Sequence, residues 1–130
     1  MSAAANRTEE RTLDFWLKAN SLSTTAPTTV YVALFTSDDS TGATSDNLEA
    51  GILTNEVSTS GTAYVRQAVT FGTISNGSVC NSVNITFPTA TSNWGTITHV
   101  AVMDSDQSDS AGGPLSNNNI GLLVKITKIS

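Results

Sequence analysis

The sequence is poor in the residues that do chemistry by themselves. A lone cysteine, Cys80, excludes an intramolecular disulfide and any metal centre built from several thiolates. A lone histidine, His99, leaves no His/Cys ligand set for zinc. Charge is scarce too: Asp, Glu, Lys and Arg make up 13% of the chain, about half the usual share. Between Lys18 and Lys125 the only cation is Arg66, so no basic patch can displace counterions from phosphates, and nucleic acid is excluded as a partner. No apolar run reaches the ~18 residues that span a bilayer, and the opening "MSAAANRTEERTLDFW" lacks the basic-then-apolar order of a secretory signal. The expectation is a soluble product made in the cytosol, without membrane insertion.

What is present points to a folded β protein. The 130 residues suffice for one domain, 1–130, and 38% of them are hydrophobic at a mean hydropathy of −0.03, which separates the chain from disordered sequences. Ser and Thr exceed a quarter of the residues, so hydroxyls cover much of the surface. The net charge of −5 is carried by loops: Asp38, Asp39, Asp46, Glu49 and Glu56 before the middle, Asp104, Asp106 and Asp109 after it. Asn-x-Ser/Thr triplets at Asn6, Asn76 and Asn84 follow from composition and carry little weight without a secretion signal.

After a flexible "MSAAA", Asn6 and Glu9 form a variant capping box. Leu13, Trp16 and Leu17 follow at the spacing of one helical stripe, with Asn20 as a stop, which predicts a helix over about 6–20. "TTVYVALFTS" then reads as a central strand, Val30, Val32 and Leu34 facing one way and Tyr31, Ala33 and Phe35 the other, both faces buried. Residues 37–62 are polar and Gly-punctuated, a long loop with one short strand around 52–57. "AYVRQAVTF" predicts a strand with Val65, Val69 and Phe71 on its inner face, and "ISNGSV" a tight Asn-Gly turn. "CNSVNITF" predicts a partner strand with Val83, Ile85 and Phe87 inward, ended by Pro88. "GTITHVAVMDS", an acidic loop over 104–119, and "IGLLVKITKIS" with Leu122, Val124 and Ile126 inward complete the chain. One helix and five or six strands predict a mainly β fold, an antiparallel β-sandwich or Greek-key barrel with one N-terminal α-helix.

Catalytic signals are weak. His99 lies within a strand pattern beside Ile97, Ala101 and Met103, where a sheet histidine is the plainer reading than a general base. No Gly-x-Ser-x-Gly elbow is present. "DSDQSDSAGG" alternates Asp104, Asp106 and Ser108 as a calcium loop would, but Asp109 stands where the turn glycine belongs and Leu115 where the bidentate glutamate belongs. The pair Asp38 and Asp39 diverges in a loop. Trp16, Trp94, Tyr31 and Tyr64 could stack on sugars, although tryptophans far apart in sequence more often anchor cores and interfaces. The expectation is no catalytic residue, no cofactor and no metal.

In order and spacing, "TTVYVALFTSD", "GTAYVRQAVTF" and "NITFPTATSNWGTITHVAVMD" resemble a family of small tailed-phage proteins usually labelled tail fibre proteins. The Phe-Pro-x-Ala-x-x-x-Trp-Gly segment is the most specific part. The resemblance runs from the Trp16 helix to about Asp104, and the Asp/Ser/Asn-rich stretch after Met103 departs from it. It implies a non-enzymatic structural component of the virion. A fibre reaches outward through long repetitive shafts that one small domain cannot supply. The size therefore predicts capsid decoration, a cement protein bound to the major capsid protein, with a tail or tail-fibre-associated protein for host attachment as the alternative. A carbohydrate-binding module that meets a host-surface glycan is a third reading. The two-faced strand at 30–35 and the helix stripe predict a homo-oligomer, a trimer, with Leu13, Trp16, Leu17, Tyr31 and Trp94 as interface candidates.

Overall fold

A computed structural model describes residues 2–4, 6–19, 27–37, 48, 53–104 and 122–127. The elements, in chain order, are β1 (Ser2–Ala4), α1 (Asn6–Lys18), β2 (Val30–Phe35), β3 (Gln67–Val69), β4 (His99–Met103) and β5 (Leu122–Thr127). The strands form one antiparallel sheet in the order β1-β5-β4-β2-β3. The mainly β fold with an N-terminal helix is therefore present. The described strands make a single sheet, where a sandwich or barrel needs strand pairing in a second layer. The acidic stretch beyond Asp104 and the side chains of Leu122, Val124 and Ile126 lie outside the described residues.

β2 is the centre of the molecule, as its two-sided hydrophobicity predicts. It runs beside β4 from Tyr31↔Met103 to Phe35↔His99 and beside β3 from Val30↔Val69 to Val32↔Gln67. One sheet face carries Ala33, Phe35, Ala101 and Met103, covered by Leu48 and Leu53, with Tyr31 packed against them. The other carries Leu34 and Val100 under Val57, Tyr64, Phe87, Trp94 and Ile97. Irregular segments thus do the covering that a second sheet would do.

Past Val32, β2 loses β3 as a neighbour, and a buried strand edge there must still satisfy its N–H and C=O groups. The segment 53–64 supplies the partners. Val57 N–H donates to Leu34 O at 3.0 Å, Thr36 N–H to Asn55 O at 3.0 Å, and Leu34 N–H to the Tyr64 hydroxyl at 3.0 Å. The short strand expected around 52–57 reduces to one bridge, Phe35↔Glu56.

Four further expectations change. "MSAAA" is not a loose arm, because Ser2–Ala4 adds a strand to β5 through Ser2↔Ile126 and Ala4↔Val124. The helix ends at Lys18, one residue before Ala19, whose φ of 53° lies in the left-handed region that breaks a helix. The strand expected over 63–71 is only Gln67–Val69, and before it the inner face is inverted: Tyr64 and Arg66 are buried and Val65 is exposed. Alternation placed Val65 inside, but Arg66 has a buried carboxylate to meet. Lastly, Val83 is exposed, and Ile85 and Phe87 are half-buried in irregular backbone.

The Asn-Gly turn is as expected. Asn76 and Gly77 take φ of 51° and 72°, and Ser75 and Ser78 exchange both backbone hydrogen bonds at 2.9 Å. Before β4, Trp94 is half-buried, and Gly95 takes φ 79° where a Cβ would lie 3.2 Å from the Thr36 side-chain Cγ2.

Candidate functional site

The buried polar centre of the molecule joins Glu56, Tyr64 and Arg66. Arg66 Nε and Nη2 donate to Glu56 Oε1 and Oε2 at 2.8 and 2.7 Å, a two-pronged pair whose side chains are 0% and 2% exposed. Tyr64 donates its hydroxyl to Glu56 Oε1 at 3.0 Å. Burial first, and the Glu56 carboxylate second, push the Tyr64 phenol far above its ordinary pKa. The phenol therefore holds its proton as a hydrogen-bond donor. The buried carboxylate is paired within the 53–66 segment, and Tyr64, which accepts from the Leu34 N–H, ties that segment to β2.

Trp94 belongs to the same packing. Its ring meets Tyr64 and Phe87 edge-on at centroid distances of 5.6 and 6.3 Å, and its Nε1–H donates to Thr62 O at 2.7 Å. Tyr64 and Phe87 lie nearly parallel, 6.1 Å apart. Asn93 Oδ1 accepts the Gly95 N–H at 2.8 Å and shapes the turn. Trp94 and Tyr31 thus belong to the two cores. His99 is half-buried with Nδ1 2.8 Å from Thr98 Oγ1. It shares its face with buried Ala101 and Met103, while Ile97 packs on the opposite side of the sheet. Among the described residues no cluster of His, Cys, Asp or Glu could hold a metal, and no helix is long and apolar enough to cross a membrane.

Helix α1 brings together the other three interface candidates. Its half-buried residues are Thr8, Arg11 and Asp14, at intervals of three, whereas Leu13, Phe15, Trp16 and Leu17 are exposed. Trp16 and Leu17 reach 75% and 76% exposure. This is the reverse of a helix that uses its apolar stripe to cover its own core. Phe15, absent from the stripe read by spacing, joins it by meeting Trp16 edge-on at 5.2 Å. The helix is held by its own polar contacts. Lys18 pairs with Asp14 at 2.8 Å, a hydrogen bond and charge contact that raise the Lys18 pKa, and Thr12 Oγ1 donates to Thr8 O at 2.8 Å.

A second exposed region escaped the sequence reading. Residues 70–84 form a hairpin arm around the Asn76–Gly77 turn, with every residue exposed. Gly72 N–H donates to Cys80 O at 2.9 Å and Ser82 N–H to Thr70 O at 2.8 Å. The signal that could have found it is the turn itself together with the run of small residues in "GTISNGSVCNS", too slight to build a core layer.

The arrangement offers surfaces for contact, built around a core that spends its buried polar groups on itself. No curated protein matches the chain. The model of the family described as Podophage GP4 fiber I protein gp80 matches residues 3–119, and so extends past Asp104, where the resemblance was expected to stop. The match spans nearly the whole sequence: the chain belongs to this phage fibre protein family and is a structural component of the virion.

Proposed function

We propose that the protein is a non-enzymatic, tail-fibre-associated component of the virion that works by protein–protein contact. The single observation that carries this reading is the family match to a fibre protein over residues 3–119. It favours the tail over capsid decoration, for which neither the match nor the fold offers a specific sign. A compact chain of this length has a radius of gyration of about 14 Å. A domain of this size does not by itself make a long shaft, which suits a contact role within the fibre assembly. The outward stripe of Leu13, Phe15, Trp16 and Leu17 on α1 supports contact with a neighbouring virion protein, because large rings in the open are costly until covered. Self-association into a homo-oligomer, a trimer, remains part of the reading.

Host attachment through a glycan receives no specific support from the aromatic residues. Trp94 commits its indole N–H to Thr62 O and its ring to Tyr64 and Phe87, and Trp16 meets Phe15 edge-on rather than forming a parallel stacking platform with it. Immunogold labelling of purified virions with antibody to this chain tests the assignment. Gold at the tail end, with a few copies per particle by quantitative mass spectrometry, is the expected result. Gold spread over the capsid, with a copy number close to that of the major capsid protein, would return the protein to decoration.

A further inference from the structure

The hairpin arm is amphipathic in a way that only its strand register reveals. Phe71 stands opposite Asn81, and Ser75 opposite Ser78. From Phe71 to Ser75 the first strand takes four steps while the second, from Asn81 to Ser78, takes three, so the first strand carries one extra residue, a β-bulge. The bulge shifts the alternation and sets Ile74 opposite Val79. Side chains two apart in the second strand share a face, which aligns Val79, Asn81 and Val83. Phe71, Ile74, Val79 and Val83 therefore lie on one face of the arm, and Thr70, Gly72, Ser78, Cys80 and Ser82 on the other. Without the bulge, Ile74 would sit among the serines.

This apolar face is open to solvent: Ile74 is 75% exposed and Val83 63%, with Phe71 and Val79 exposed to 38% and 40%. A two-stranded hairpin is marginal in water unless a face is covered. Protein edges that must stay single carry Lys, Pro or inward charges, and residues 70–83 contain no charged residue and no proline. The sequence is in fact free of Asp, Glu, Lys and Arg from Gln67 through Met103.

We infer that the arm is a self-association surface, on which the apolar face of one copy packs against the same face of a second copy of this chain. The choice of occupant follows from charge and symmetry. At a net charge of −5, two copies repel over most approaches, and the uncharged arm is where they can meet without bringing carboxylates together. An apolar face is complementary to itself, as a symmetric contact requires, and it lacks the charges that would select a different partner. A contact built on one short hairpin lies at the weak end of protein association, and assembly is expected in the micromolar range. The inference concerns the surface of contact and stands whether the protein lies on the tail or elsewhere on the particle.

The test uses the full chain in sedimentation velocity from about 1 to 200 μM, a range that brackets micromolar assembly. Wild type should convert from monomer to dimer, the state that a face packed on its own copy closes. Val79→Lys with Val83→Lys should weaken assembly at least about tenfold, and Ile74→Lys alone, beside the turn, should act in the same direction even if the double variant folds poorly. Thr54→Ala, at an exposed position outside the arm and the helix stripe, should leave it unchanged. Alkylation then reads which face is used. A thiol introduced by Asn81→Cys in a Cys80→Ser background should become protected as concentration rises, while native Cys80, on the hydroxyl-rich face, should stay reactive. Wild type that remains monomeric throughout would overturn the inference, as would assembly indifferent to the arm lysines. Protection of the introduced thiol only when another virion protein is added would assign the arm to that protein instead.

Discussion

Residues 53–69 and residues 70–84 follow each other in the chain, are similarly rich in Ser, Thr and Val, and have opposite fates. The first segment is braced internally by Glu56, Tyr64 and Arg66, bonded to β2 through Tyr64, Asn55 and Val57, and buries Leu53, Val57 and Val69, leaving Val65 exposed. The second continues past the end of β2 and keeps Phe71, Ile74, Val79 and Val83 in the open. Composition does not separate them. What separates them is a backing surface: where β2 offers unsatisfied backbone groups and a covered face, the chain docks, and beyond Val30, the first residue of β2, it projects as an arm.

The largest break in this comparison comes from removing one member of the buried ion pair. Glu56→Ala leaves a guanidinium uncompensated in the core and should cost about 3–5 kcal/mol in urea denaturation. Replacing both partners by apolar residues, Glu56→Leu with Arg66→Met, should recover most of that loss. If the double variant is as unstable as the single, the pair fastens the segment through geometry that packing cannot replace.

Next comes Tyr64→Phe, which strands the Leu34 N–H and should cost about 1–3 kcal/mol. It also carries a pH signature. The folded phenol titrates above the ~10 of an unfolded tyrosine, so its contribution is fully present below about pH 10 and is lost as pH rises from there towards the folded value. Thermal melts between pH 8 and 11 should show wild type losing stability with rising pH more steeply than Tyr64→Phe. Equal slopes would contradict the burial of the phenol. Gly95→Ala, forced to a φ of 79° with its Cβ against Thr36, should cost about 1–2 kcal/mol. Smallest of all, Val83→Lys should change the stability of the dilute monomer by no more than about 0.5 kcal/mol. Its effect should appear in assembly instead. A large loss of monomer stability would mean that the arm is packed after all.

Local patterns carried much of the fold. The two-sided run at 30–35 identified the central strand, the capping and stripe residues identified α1, and the Asn76-Gly77 pair identified a turn. Period-two alternation failed on both sides of β3. At Val65 a long-range partner decided which way the chain faced, and no local pattern encodes that Glu56 waits for Arg66. Around Ile74 a one-residue bulge reversed the faces. Among the described residues the covering layer is not a sheet for a related reason: apolar residues such as Phe87 and Ile97 do cover β2 and β4, but from irregular backbone that binary patterning reads as strand. Of the five interface candidates, the stripe spacing found the three that are exposed on α1. Tyr31 and Trp94 show that a large aromatic residue alone does not separate an anchor of the core from an anchor of an interface.

The central claim is that one chain holds a sealed base and an unbacked arm that only a second copy covers. Hydrogen exchange of the unmodified protein at low and high concentration measures both at once. The amides of Leu34, Val57, Ala101 and Val102 should exchange slowly and equally in the two samples. Those of Gly72, Ser75, Ser78 and Ser82 should exchange quickly when dilute and slow down when concentrated. Arm amides as protected as the base in dilute solution, or arm exchange that ignores concentration, would contradict it.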